Sequence, residues 1–120
     1  MNKTKRSLLL YELIAEIKKI DPTSKSEVMF NAIMPTKRKF RADFYIPKYH
    51  LIIEVNGGQW VTGRHTRGGI GYESDLEKLN TVAINGFNVL QYTYEMLQRG
   101  DHLRDLHQIS LNKLTDFLIN

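Results

Sequence analysis

Apolar positions change period along the chain. Leu9, Leu10, Leu13, Ile14, Ile17 and Ile20 recur at helical spacing and predict an amphipathic helix over Ser7–Ile20. Asp21-Pro22 closes it, because the residue before proline is pushed out of helical geometry. Val28 to Ile33 reads as a short strand, and Pro-Thr-Lys-Arg-Lys (35–39) as a turn. Phe40–Ile46 alternates apolar and polar residues, whereas Leu51–Val55 is a buried-type apolar run broken by one acid. Residues 57–71 hold six of the eight glycines and read as a long loop. Ser74-x-x-Glu77 is a capping-box signature for a helix that stops at Gly86. Asn88–Thr93 is the fourth strand, and Asp101 caps a closing helix to about Ile119. Neither repeats nor a linker interrupt this order. It predicts one domain over 1–120 of mixed α/β class, α-β-β-β-α-β with a C-terminal helix, its sheet at least partly antiparallel.

Parity sharpens the central hairpin. With Pro47–His50 as the turn, Ile46 faces Leu51, Phe44 faces Ile53 and Ala42 faces Val55, all apolar, so burial specifies this register. The other face then pairs Tyr45 with Ile52, Asp43 with Glu54, and Arg41 with Asn56. Opposed side chains on adjacent strands sit about 5 Å apart at Cβ, where like charges destabilise. Two acids forced together usually answer to a divalent cation. The alternative is a solvated hairpin face on which the acids borrow Arg41 and Lys48.

Composition narrows the class. At 42% hydrophobic and 25% charged the chain is ordinary globular material, which excludes collagen, coiled coil and disorder. The absence of cysteine excludes a disulfide framework, a thiolate zinc site and a cysteine nucleophile. No apolar run is long enough to span a bilayer and nothing near Met1 reads as a signal peptide, so the expectation is a cytoplasmic protein without membrane association. Net charge is +4, but residues 1–41 carry ten basic and four acidic side chains, net +6, leaving the remainder at −2. A basic segment beside an acidic pocket suits a polyanion such as nucleic acid; the plainer reading is a solvated tail plus one basic turn.

The glycine loop has the spacing of a phosphate-binding P-loop from Gly58 to His65. It offers Arg64 and His65 where that chemistry needs Lys and Ser/Thr, so nucleoside triphosphate chemistry is rejected. Glycine amides, Gln59, Arg64 and Arg67 suit DNA phosphates better. Trp60 offers a stacking surface or an ordinary core-edge aromatic. His65 is a candidate acid or base near neutral pH, or a loop histidine touching DNA. Lys37, Arg38, Lys39 and Arg41, leading into the Asp43 strand, are candidate contacts to DNA phosphates.

Arg-Ala-Asp43-Phe-Tyr, eleven residues before Ile-Ile-Glu54-Val-Asn-Gly-Gly, resembles the PD-(D/E)XK, or restriction-endonuclease-like, nuclease superfamily. The resemblance is closest to its very-short-patch-repair-like, phage and intron-encoded branch. It continues through Arg64-His65-Thr66-Arg67, Asp75-x-x-Lys78-x-Asn80 and Gly86 to Thr93, and so spans about Glu12 to Leu97. It implies a mixed four-stranded sheet flanked by helices and Mg²⁺-dependent hydrolysis of DNA phosphodiesters, with Mn²⁺ able to substitute. It further implies Asp43 and Glu54 as metal ligands, the Val55 carbonyl as a third, and Glu12 on the metal or its waters. A phage or mobile-element source is expected. A homodimer is left open, since cutting both strands at once usually takes two sites.

The chain departs from the family in an important place, besides carrying Trp60 where relatives in this branch often have histidine. Asn56 stands where the family usually has lysine, two residues after the strand acid. A neutral amide supplies neither charge nor base, so another cation must take over, or the chain is a DNA-binding module without activity. Lys78 is the candidate: on a helix whose stripe Leu76, Leu79 and Ala83 packs on the sheet, its long stem reaches over the sheet edge toward the acids.

Overall fold

The computed structural model describes residues 1–55 and 70–119. Its first helix, α1 (Lys3–Ile20), starts four residues before the predicted boundary because the Asn2 side chain accepts a hydrogen bond from the Lys5 amide and caps it there. Leu9, Leu13 and Ile17 are its buried stripe. Asp21 ends it and ties the helix to the hairpin turn, accepting from the Thr23 amide and hydroxyl and from the Lys48 amide.

The first strand, β1 (Lys25–Met29), lies three residues earlier than the pattern predicts. Phe30 is fully buried, and its N–H bonds to the Phe40 carbonyl, so the chain leaves the strand into a 3-10 turn over Phe30–Ala32. β2 (Arg41–Ile46) and β3 (Leu51–Val55) are joined by a 3-10 turn at Pro47–Tyr49, with His50 in the left-handed region (φ 51). Their register is Phe44–Ile53, Tyr45–Ile52 and Ile46–Leu51, as burial requires.

α2 (Ile70–Ile84) begins before the Ser74 capping box. β4 (Asn88–Tyr92) follows, and Thr93 caps a short helix absent from the predicted order, α3 (Tyr94–Arg99). Gly100, at φ 83, closes α3 and leads into α4 (Asp101–Ile119). The sheet order is β1-β2-β3-β4, antiparallel at the first two junctions and parallel between β3 and β4. A mixed four-stranded α/β sheet is therefore the architecture.

Both faces of the sheet are covered. Phe44, Ile46, Leu51 and Ile53 pack against Leu9, Leu13 and Ile17 of α1 and against Leu97 and Leu106. Ile52 packs on the opposite side with Phe30, Val82 and Phe87. Ala42 joins this second cluster although its parity matches Phe44. The change of side coincides with a break in the ladder, where Glu27 (φ 57) stands between the pairs Ser26–Phe44 and Val28–Ala42. Among the described residues no helix is long and apolar enough to cross a membrane.

Candidate active site

Glu54 sits on β3, the strand covered from both sides, and is only 7% exposed. Its Oε2 accepts the Asp43 amide at 3.0 Å, while Asp43 Oδ2 accepts the Val55 amide at 2.9 Å. The two strands thus part at this point, and each carboxylate caps a backbone N–H of the opposite strand. The expected arrangement, two acids simply opposed on one face, is corrected by these bonds. Asp43 borders a groove of about 180 Å³ with Leu10, Glu27, Phe44, Val55 and Tyr94. Glu54 borders a cavity of about 50 Å³ under α2, with Ile52, Asp75, Lys78, Val82 and Gln91.

Lys78 Nζ forms an ion pair with Glu54 Oε1 and lies 5.6 Å from the centre of the Phe30 ring. This placement follows from a roll of α2 that the hydrophobic pattern does not predict. Leu76 and Ala83 are exposed, and Asp75, Lys78, Leu79 and Val82 face the sheet. At 3.6 residues per turn the sheet-facing side is turned by about 80° from the predicted stripe. Lys78 consequently meets Glu54 across the sheet surface instead of reaching over its edge. A buried carboxylate without a cation is costly, and α2 supplies one.

Burial pushes the Glu54 carboxyl up to about 7, and the nearby Asp43 charge adds to this; the hydrogen bond and charge of Lys78 pull the other way. Burial wins. Asp43 Oδ2 is engaged by the Val55 amide, and the residue borders the groove.

The basic turn is anchored next to this pair. Arg38 bonds Glu77 of α2 at 2.8 Å and lies 4.7 Å over the Phe40 ring. Phe40 in turn meets Phe30 edge-on at 5.8 Å. Lys37, Arg38 and Lys39 line a shallow depression with Phe40 and Ser74. Arg41 is held by Glu27, Nε to Oε2 at 3.0 Å. Of the four cations of this basic segment, Arg38 and Arg41 are thus already paired within the chain, while Lys37 and Lys39 are exposed.

Glu12 does not join the acids. It lies on the flank of α1 facing α4, where its charge acts on His102 together with those of Glu16, Asp101 and Asp105. Leu10, not Glu12, borders the Asp43 groove. His102 is buried, and burial holds its imidazole below the ordinary histidine range. Asn56, Gln59, Trp60, Arg64, His65 and Arg67 lie outside the described residues. Glu27 and Tyr94 border the groove without having been singled out in the sequence. Glu27 fell outside the strand predicted from Val28, and Tyr94 belongs to a helix that the pattern does not signal.

Asp43, which borders the groove, and Glu54 supply hard carboxylate oxygens of the kind a Mg²⁺-like ion takes. Among the described residues no cluster of three acids or histidines forms, so a third donor has to come from a main-chain carbonyl, from the 56–69 segment or from water. The chain matches no protein-family model, no curated protein and no solved structure.

Proposed function

We propose that the chain is a metal-dependent DNA endonuclease built on a restriction-endonuclease-like core, of phage or mobile-element type. The observation that carries the reading is the constellation at the parted end of β2 and β3. There Asp43 and Glu54 stand on crossed backbone bonds, with Lys78 on Glu54 and the basic turn anchored beside them. Asp43, Glu54 and the Val55 carbonyl would hold Mg²⁺ or Mn²⁺, which when bound supplies a hydroxide nucleophile and neutralises charge on the phosphate. Lys78 takes the part of the lysine that Asn56 lacks, holding positive charge at Glu54 from a helix instead of from the strand. Lys37 and Lys39 seat the DNA backbone as exposed cations.

The test is nicking of plasmid, and cleavage of branched, mismatched and linear duplexes, in Mg²⁺, Mn²⁺ and EDTA. Metal-dependent cleavage abolished by Asp43→Ala and by Glu54→Ala supports the reading; a variant cutting at the wild-type rate overturns the metal site. A second reading is a DNA-binding module without activity, favoured by the ion pair that already engages Glu54. It predicts a mobility shift in EDTA and no cleavage with either metal.

A further inference from the structure

We propose that α4 is a self-association surface through which two copies of the chain pack antiparallel about a two-fold axis. The inference is independent of the nuclease reading. α4 turns two different faces outward and inward. His102 and Leu106 are buried, and Ile109 packs on the α1-side core. About 120° around the helix, taking 3.6 residues per turn, runs a second apolar stripe of Leu103, Leu111, Leu114, Phe117 and Leu118. These five are 47%, 44%, 54%, 79% and 73% exposed. His107 and Ser110 complete the stripe, and no acid or lysine falls within it. Such a face on one helix is already as large as the biggest apolar patch of an ordinary monomer, on the order of 600 Å².

A second copy is the occupant because the stripe is complementary to itself. Its far end carries the most exposed residues, Phe117 and Leu118. Its near end borders a groove of about 230 Å³ between α1 and α4, lined by Ile20, Leu103 and Leu106 together with Glu16, His107 and Ser110. Knob and socket lie on the same stripe, fifteen residues or about 22 Å apart between Leu103 and Leu118. An axis between Ser110 and Leu111 sets Leu103 of each copy against Leu118 of the other, and His107 against Leu114. Each knob then fills the other's socket. Every contact repeats across the axis, as an isologous dimer demands. The exposed stripe, on the order of 600 Å² per copy, together with the groove walls approaches the roughly 800 Å² per partner of a standard stable interface. The stripe lies on the side of α4 away from the sheet, so the two bodies stand on opposite sides of the helix pair.

The experiment is sedimentation equilibrium and light scattering of the full chain across a concentration series. Wild type is expected at twice the chain mass, and Leu114→Glu combined with Phe117→Glu at the chain mass, with unchanged circular dichroism because both side chains are exposed. The native chain has no cysteine, which permits a second measurement. Leu111→Cys, beside the axis, is expected to crosslink to itself with a short bis-maleimide. Asn112→Cys, about 155° round the helix from the middle of the stripe by the same geometry, is expected not to. Wild type at the chain mass at every concentration overturns the proposal. So does a dimer that survives the double glutamate substitution, or equal crosslinking at both positions.

Discussion

Glu54 is held by two opposing demands, a buried position that disfavours its charge and a lysine that favours it. The consequence for pH follows from the sign of the shift. The folded carboxyl, at about 7, binds its proton more tightly than the unfolded one at 4.5. The contribution of this group to stability is therefore complete below 4.5 and is lost as pH rises toward about 7. Thermal melts in EDTA across that window should show a falling melting temperature, and Glu54→Gln, which cannot titrate, should flatten the slope. An unaltered slope in the variant would refute the assignment. Lys78→Met tests the partner. Single-turnover cleavage is expected to slow at least tenfold, about 1.4 kcal/mol, with DNA affinity barely changed. Asn56→Lys in that background should recover part of the loss.

At the scale of elements, the basic turn is tied down by one residue and exposes its neighbours. Arg38 is engaged by Glu77 and Phe40, so its replacement loosens the turn itself. Lys37 and Lys39 have no such duty. Their joint replacement by alanine should leave the melting temperature unchanged and flatten the log–log dependence of DNA affinity on salt, by about one unit for each phosphate no longer neutralised. An unchanged slope would place the turn away from DNA. Asp21 joins α1 to the hairpin turn in the same local manner. Its hydrogen bond with the Thr23 side chain, and then that with the Lys48 amide, hold its carboxyl below the ordinary 3.8. The stability it contributes is present above 3.8 and is lost as pH falls below that through the lowered value. Asp21→Asn is expected to lower the melting temperature at neutral pH and to narrow the difference in acid.

For the whole molecule, the sheet divides the interior into two cores with different duties. Leu13, fully buried, belongs to the larger one that joins α1, the sheet, α3 and α4, and Leu13→Ala should cost about 2–5 kcal/mol of global stability by urea unfolding. Val82 belongs to the smaller core that seats α2, and through it Lys78. Val82→Ala should speed amide exchange in α2 more than in β3 and slow cleavage without weakening DNA binding. Equal acceleration throughout both elements would mean that the two cores melt as one.

Local rules read the hairpin, β2, β3, β4 and the outer helices well, because each is specified by neighbours in sequence. Alternation set the β2–β3 register, since a one-residue slip would turn Phe44 and Ile53 out of the core. It also brought Asp43 beside Glu54. Tertiary packing decided the rest. Phe30 ended β1 early because the space under α2 took its ring. The crossed bonds of Asp43 and Glu54 depend on the parting of two strands, which no periodicity records. Glu12 shares a helix with Leu10, but only the docking of α1 decided that Leu10 meets the groove while Glu12 faces His102. The roll of α2 was chosen against its own leucine pattern, because a buried carboxylate on a strand covered from both sides needs a cation and Lys78 was within reach.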